Sequence, residues 1–235
     1  MTDFFADDFF VDGRGSSAFG ARLLASYAVG GASLTRSRVQ PAAGMRFVPA
    51  GSRVGLREIS LPVHIFGQSP REAQQQKSAL DAALLADPVE LYLPDGFLYT
   101  ASCDSIGEVT EYSQDGCILA GSYKLSGFRH DPLETVHLSA GGGAFLAKGT
   151  APDMECRLTC TVGTVSDSYL MAGILWVDVK AGDVLVLDGI RRKVTRNDEN
   201  SLNQTDLTQW PLLAPGPNIM TAPDAMTVEY YPIYL

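Results

Sequence analysis

The stretch from Asp183 to Asn218 decides the fold and reads DVLVLDGIRRKVTRNDENSLNQTDLTQWPLLAPGPN. The stretch begins with an apolar run, which is followed by the pair Asp188-Gly189 and by a basic segment over 190–196. This order is the pattern of a β-hairpin with an Asp-Gly turn. A polar turn spans 197–200, and the prolines and glycine after Trp210 end the next strand. The stretch therefore predicts antiparallel β-structure.

The composition of the whole chain agrees with this prediction. The chain has 235 residues, of which 46% are hydrophobic and 19% are charged, as is typical of a folded globular protein. Its 23 Gly and 13 Pro, beside one strong helix pattern, favour a mainly β fold with many turns. Asp131-Pro132 and the glycines at 141–143 bracket a change of pattern. We therefore predict a β-sandwich-like domain with one α-helix over residues 1–133, followed by a β-sandwich over residues 134–235.

The helix is predicted over about residues 69–86, where Ser69-Pro70-Arg71-Glu72 forms a capping box with Pro at the first helical position. Strands that bury one face are predicted at 58–65 and 154–162, and hairpins at 89–103 and 106–125. Pro62 cannot donate to a ladder, so its strand is expected at a sheet edge or bulged there. Residues 19–34 are expected to form a strand, and residues 35–55, rich in Pro and Gly, a long loop.

Charge and hydropathy exclude several classes of protein. The net charge is −9 and is spread over both halves, so we predict no stable nucleic-acid binding. The longest apolar run, Leu170 to Val177, has far fewer than the ~18 residues that a membrane helix needs, so no membrane insertion is expected. The N-terminus is acidic where a secretory signal would be basic.

Candidate chemical groups are few, and we predict no metal, no cofactor and no catalytic residues. His64, His130 and His137 have no partner at a ligand spacing and are interpreted as surface residues, and the cysteines at 103, 117, 156 and 160 as reduced thiols. Glycoside hydrolysis needs two paired carboxylates, and the candidates are Asp198-Glu199 and Asp206, but they lie in a polar, turn-rich segment. Arg191-Arg192-Lys193 with Arg196 is interpreted as a charged outer face or as ion-pair partners of acidic neighbours. Trp176 is expected in the core, and packing is favoured over sugar stacking for Trp210.

The N-terminal segment pairs four phenylalanines with acidic residues, at Phe4, Phe5, Phe9 and Phe10. An apolar arm near a terminus packs onto its own domain or onto a neighbouring subunit. We therefore predict these phenylalanines, together with the strand that carries Pro62, as candidate subunit-interface residues.

Several motifs in this order resemble the distal tail proteins (Dit-like) of long-tailed bacteriophages. They are Gly15-Ser16-Ser17-x-Phe19-Gly20, the strand from Glu58 to Gly67 followed by the capped helix, the Asp95-Gly96 hairpin from Leu91 to Tyr99, and the segment from Trp210 to Asn218. The resemblance implies a ring-forming N-terminal domain and a galectin-like C-terminal sandwich. The galactoside-binding pattern Trp-x-x-Glu-x-Arg is not present at Trp210, which Pro211, Leu212 and Leu213 follow.

The resemblance also implies a function, namely a structural virion protein rather than an enzyme. Six copies would form a hexameric ring at the distal end of the tail tube. The ring would join the tube to the baseplate and to a tail-associated fibre or lysin protein, and DNA would pass through it. The protein would be made in the host cytoplasm and reside at the virion tail tip. Two alternatives stay open at this point: a carbohydrate- or receptor-binding sandwich that contacts the host surface, and a glycosidase.

Overall fold

The structure is a computed structural model that describes residues 7–39 and 48–235. It divides into two compact units, Met1–His130 with Leu235, and Asp131–Tyr234. The division lies close to residue 134, where the sequence places the domain boundary; the assignment of each unit as a separate domain stays a prediction. Both units are mainly β, as predicted.

The first unit is a curled antiparallel sheet with one helix, α1 (Pro70–Leu84), packed on one face. Its strands are β1 (Phe10–Val11), β2 (Arg14–Gly15), β3 (Ala21–Leu23), β4 (Ala28–Val29), β5 (Leu34–Val39), β6 (Val48–Val54), β7 (Arg57–Phe66), β8 (Val89–Tyr92), β9 (Leu98–Ile106), β10 (Thr110–Glu111) and β11 (Ile118–His130). The sheet order is β2-β1-β8-β9-β11-β7-β3, with β4 beside β7 and β10 beside β11.

The unit of β7 and α1 forms as the sequence predicts. Strict alternation along β7 buries Ile59, Leu61, Val63 and Ile65 on the helix-covered face. The Ser69 hydroxyl accepts a hydrogen bond from the Glu72 amide at 3.3 Å, and a Glu72 carboxylate oxygen accepts one from the Gln68 amide at 2.8 Å. The first bond satisfies an amide that the first helical turn leaves unpaired, and the second ties the residue before the N-cap to the helix.

The turn between β7 and α1 depends on Gly67. A Cβ atom at this position would lie 2.4 Å from the backbone nitrogen of Ala73 and 2.9 Å from the Ser69 carbonyl oxygen. Both neighbours are backbone atoms of the helix start, so they cannot rotate away. The chain therefore passes from strand to helix only because residue 67 has no side chain.

Two expectations for residues 19–55 are wrong. Residues 16–19 form a 3-10 turn, after which β3 and β4 replace the single predicted strand. The expected loop contains the hairpin β5–β6, whose register shifts between Ser37 and Arg38, opposite the segment that contains Pro49 and Gly51. The bulge absorbs residues that would otherwise interrupt a ladder, which is why the strands persist despite Pro and Gly.

The second unit consists of short antiparallel strands around one core. They are β12 (Glu134–Leu138), β13 (Gly143–Ala147), β14 (Met154–Thr161), β15 (Ser166–Met171), β16 (Ile174–Val179), β17 (Val184–Asp188), β18 (Lys193–Arg196), β19 (Glu199–Asn200), β20 (Leu212–Leu213), β21 (Gly216–Met220), β22 (Met226–Tyr230) and β23 (Ile233–Tyr234). One sheet has the order β12-β22-β14-β17-β18-β19, with β20 beside β14. β13 pairs with β21, and β15 pairs with β16.

The core of this unit is built on β14, where the predicted alternation is confirmed. Met154, Cys156, Leu158 and Cys160 are all buried on one face, and Trp176 packs with them at 0% exposure. The four cysteines are free thiols. The expectation that Trp176 belongs to the core is therefore confirmed.

The hairpin β17–β18 in the decisive stretch forms, but with a longer turn than predicted. Asp188 pairs with Lys193, so the loop spans 189–192, and Arg192 rather than Gly189 takes the positive φ, at 56°. The Gly189 amide instead donates to the Cys156 carbonyl at 3.0 Å. At the next turn Asn197 and Asp198 both have positive φ, 52° and 66°, as a two-residue type I′ turn requires.

Candidate interaction surfaces

The described part of the N-terminal arm packs onto its own unit. Phe9 is 1% exposed in the core of the first unit, and the half-buried Phe10 ring lies edge-on to Tyr92 at 5.9 Å between centroids. Phe4 and Phe5 lie outside the described residues. Phe9 thus has no surface left to offer to another subunit, whereas Phe10 keeps part of its ring accessible.

The Gly15–Gly20 motif fixes this arm in place. The Ser16 hydroxyl, fully buried, accepts a hydrogen bond from the Asp8 amide at 3.0 Å, and the Asp7 carboxylate accepts one from the Ser17 amide at 2.8 Å. The side-chain and backbone contacts of Ser17 hold the pKa of the Asp7 carboxyl below its usual value. The motif is therefore a turn that holds the preceding acidic residues by hydrogen bonds.

Pro62 lies inside the sheet and not at its edge. It sits opposite Ser122 of β11 on one side, and on the other side its carbonyl accepts a hydrogen bond from the Leu24 amide at 2.9 Å. Leu24 lies in the gap between β3 and β4, the two short strands that flank β7. Because a strand residue points its nitrogen and carbonyl to the same side, the missing N–H of Pro62 faces this gap, where no ladder bond is lost.

Pro62 belongs to the sheet face that α1 does not cover. His64 follows it on this face, with Tyr112 at 4.4 Å between ring centroids and Phe66 at 6.3 Å. On the same sheet, a depression of about 350 Å³ is lined by Glu58, Asp104 and Lys124 together with apolar residues such as Ala28 and Leu125. The face thus combines an aromatic cluster with a charged hollow, a mixture found at protein–protein interfaces.

In the second unit the segment that ends in Asn218 is a clamped turn. The Asn218 side chain accepts a hydrogen bond from the Ala214 amide at 3.1 Å and donates to the carbonyls of Ala214 and Gly216, at 2.7 and 2.9 Å. Gly216 has φ +89°, which favours glycine. The Pro-Gly-x-Asn pattern thus specifies the entry to β21.

The basic cluster forms ion pairs within the chain. Arg196 pairs with Asp183 at 2.5 Å, and these side chains are only 14% and 8% exposed. Burial raises the pKa of the Asp183 carboxyl, but the bonds from the Lys180 amide, Asn197 and Arg196 outweigh it and hold that pKa below its usual value. Arg192 pairs with Glu155 and lies over the half-buried Trp210 ring at 5.4 Å. The expected ion-pair role of the cluster is confirmed, and Trp210 packs against the core as favoured.

The groups considered for catalysis or metal binding serve structural roles. The Asp206 carboxylate accepts a hydrogen bond from the Leu175 amide at 2.6 Å, and Asp198 lies in the type I′ turn. His130 is buried, against the surface placement expected from sequence, because Thr100 satisfies its ring nitrogen at 3.0 Å. Among residues 7–39 and 48–235 no three His, Cys, Asp or Glu side chains converge to hold a metal ion. No helix in the described part of the chain could cross a membrane.

Comparison with known families and structures gives a consistent result. The family model described as siphovirus-type tail component, C-terminal domain, matches residues 161–234. No curated protein matches the chain. Residues 161–234, which lie in the second unit, are therefore similar to the C-terminal domain of a siphovirus-type tail component.

Solved structures extend the likeness to the whole chain. The crystal structure of the SPP1 Dit (gp 19.1) protein, described as a paradigm of hub adsorption apparatus in Gram-positive infecting phages, superposes with a TM-score of 0.76 at 13% identity, over 98% of this chain and 100% of that chain. Structures of the phage P2 baseplate in its activated conformation, with Ca and with Sr, give TM-scores of 0.55 and 0.54 at 9% and 10% identity, over 92% of both chains in each case. The resemblance to phage distal tail proteins is thus confirmed.

Proposed function

We propose that this Dit-like tail component forms a hexameric ring at the distal end of a phage tail tube and joins the tube to the tail tip. The observation that carries the proposal is the superposition on SPP1 Dit, a hub protein by its description, over nearly the full length of both chains. The ring would be a structural, non-enzymatic part of the virion, and the tube, baseplate and tail-associated fibre proteins would be its partners.

The surface chemistry of the first unit supports ring formation. A head-to-tail interface between identical copies closes into a ring when its rotation permits, and it needs two different surfaces on each copy. The sheet face with Pro62, His64 and Tyr112 is one candidate, and the arm around Phe10 is another. These assignments, and those of Phe4 and Phe5, stay predictions.

The alternative of a sugar-binding sandwich finds less support. A stacking platform needs an accessible aromatic face, but the Trp210 ring is half-buried and Arg192 lies over it. A glycan array or a calorimetric titration would separate the two functions, since saturable sugar affinity at this site favours the alternative.

Native mass spectrometry of the purified chain tests the ring directly. With 25.2 kDa per copy, a hexamer has a mass of about 151 kDa. Deletion of residues 1–12 should weaken the ring if the arm contributes, and an annulus of six lobes should appear by negative-stain microscopy. A chain that stays monomeric at high concentration contradicts the proposal.

A further inference from the structure

The ribbon formed by β13 and β21 has an open edge along β13. β13 pairs with β21 alone among the described strands, with Ala144 opposite Ile219 and Leu146 opposite Pro217. Because Pro217 has no N–H to donate, the Leu146–Pro217 pair is of the type without ladder hydrogen bonds, and so is the Ala144–Ile219 pair two residues along. In such pairs the backbone groups point away from the partner strand. The N–H and C=O groups of Ala144 and Leu146 therefore face outward.

These outward backbone groups are not used within the described part of the chain. Among residues 7–39 and 48–235, no backbone hydrogen bond joins Ala144 or Leu146 to a residue outside the ribbon. The amide of Lys148, which points the same way one step further along, donates to the Tyr230 hydroxyl at 2.9 Å. β13 reads Gly-Ala-Phe-Leu-Ala and has no Pro, Lys or other charge of the kind that protects an edge. The edge is thus a template to which one more strand can add.

The outer face of the ribbon is apolar. Ala144, Leu146, Pro217 and Ile219 are all exposed, Leu146 at 73% and Ile219 at 77%. Exposed apolar residues that adjoin in this way, rather than scattered singly, mark a surface that another protein covers. Every second side chain of an added strand would lie beside Ala144 and Leu146. The face therefore fits a segment with an apolar residue at every second position.

The charge of the chain decides which kind of segment the edge accepts. Two copies of a chain with a net charge of −9 repel each other, whereas a cationic segment of another protein is attracted. Residues 134–235 carry twelve Asp and Glu against seven Lys and Arg, and five of these seven cations already pair with carboxylates. One of the five is Lys148, beside the end of β13, whose ammonium lies 2.7 Å from a Glu134 carboxylate oxygen. The end of the strand therefore does not repel a positive partner.

We propose that the β13 edge binds an extended segment of a different protein, in which apolar residues alternate along the strand and Lys or Arg flank it. The backbone groups of Ala144 and Leu146 hold the segment by hydrogen bonds, and its apolar residues continue the row that Leu146 and Ile219 begin. The flanking cations meet the excess of carboxylates on the second unit. The site lies on this unit alone and does not depend on ring formation, although several copies in one assembly would strengthen the binding of a multivalent partner.

Titration of the purified chain with synthetic peptides tests the proposal. The probe is a fluorescently labelled peptide in which Val and Thr alternate between terminal Lys pairs, and its anisotropy should rise to saturation. The same peptide with Glu in place of each Lys should bind at least about tenfold more weakly, because it meets like charge. A third peptide, methylated at the backbone nitrogens that would face β13, should lose binding although its side chains are unchanged.

A matched pair of variants locates the site. Leu146→Lys should raise the dissociation constant of the Lys-flanked peptide at least about tenfold, because it places a cation in the apolar row at the edge. Val165→Lys makes the same change of charge at a residue 71% exposed outside the ribbon and should bind like the parent chain. Both substitutions are at exposed positions, so both variants should keep the urea midpoint of the parent chain.

Four results would overturn the proposal: no saturable binding of the Lys-flanked peptide, equal affinity for the Glu-flanked peptide, equal affinity for the methylated peptide, or equal weakening by the two variants. Binding that Leu146→Lys leaves unchanged would overturn the location at β13. Native mass spectrometry of the same samples keeps this test separate from that of the ring. A chain that binds the peptide without forming a hexamer contradicts only the ring, and a hexamer that does not bind it contradicts only the β13 site.

Discussion

Replacement of Asp183 by Asn should destabilise the second unit far more than the loss of a surface ion pair would. The Asp183 carboxylate accepts three hydrogen bonds, from the Lys180 amide at 2.6 Å, from Asn197 at 2.8 Å and from Arg196 at 2.5 Å. Asp183→Asn keeps the shape but removes the charge, so the Arg196 guanidinium, 14% exposed, is left without its counter-ion. Removal of one member of a buried ion pair lowers the free energy of unfolding by about 3–5 kcal/mol. We expect a decrease of about 3 kcal/mol here, because the pair lies beneath a surface hairpin.

Both tryptophans of the chain, Trp176 and Trp210, lie in the second unit, so tryptophan fluorescence during urea unfolding reports on this unit alone. A loss of about 3 kcal/mol with an m-value of roughly 1–1.5 kcal/mol per M lowers the urea midpoint by about 2–3 M. Lys148→Ala is the control: it removes an ion pair with Glu134 in which the Lys148 side chain is 63% exposed, and it should barely move the midpoint. Equal shifts for the two variants would refute the reasoning.

The same carboxyl gives a pH dependence of definite sign. Its pKa in the folded protein is lower than the usual value, so its contribution to stability is complete above the unfolded pKa of about 3.9 and is lost as pH falls through the folded pKa. The parent chain should therefore lose stability below about pH 4 more steeply than Asp183→Asn. A steeper loss in the variant would contradict this assignment.

Three further changes test the local structure. Ser69→Ala should lower the free energy of unfolding by about 1 kcal/mol, because it removes the hydrogen bond that caps the start of α1. Circular dichroism would show this loss as a lower urea midpoint, and an unchanged midpoint would contradict the role of the cap. Gly142→Ala should destabilise the protein much more than Gly141→Ala, although both glycines have φ near +85°. A Cβ atom at position 142 would lie 2.1 Å from the Met220 carbonyl oxygen, whereas a Cβ atom at position 141 would meet nothing within 4 Å. Equal thermal midpoints for the two variants would contradict this packing. Burial raises the pKa of the Cys156 thiol to about 12. A thiol reagent should therefore modify the half-buried Cys103 and Cys117 first, and should reach Cys156 and Cys160 only when the protein unfolds. Equal reaction rates at all four cysteines would contradict the burial of Cys156 and Cys160.

The elements that the sequence predicts well are those with strong local signals. The capping box at Ser69, the alternation on β7 and β14, and the Asp95-Gly96 turn each combine a periodicity with a specific stop signal, and all form. The Asn197-Asp198 turn also forms as a tight polar turn. In these places local preference and tertiary packing favour the same conformation.

The failures occur where tertiary contacts decide. Pro49, Gly51 and Gly55 predict a loop, yet β6 forms because β5 pairs with it through a bulge. Pro62 predicts a sheet edge or a bulge, but the gap between β3 and β4 accommodates it inside the sheet. His130 is buried beside Phe128, and its ring nitrogen has a hydrogen-bond partner in Thr100, 30 residues away in the sequence. Phe9 and Phe10 share a sequence pattern but differ in burial, so the pattern alone does not separate a core residue from a surface residue.

The close packing around Gly67 limits how the sequence of such a protein can change during evolution. Any codon change that alters the amino acid introduces a β-carbon where the helix backbone leaves no room, so this site cannot drift. At Gly96 the surroundings are open and only the backbone angle, φ +83°, restricts the choice, so Asn or Asp can replace it. Related proteins that have diverged until they share little sequence can therefore differ at the position of Gly96, but they should retain glycine at the position of Gly67.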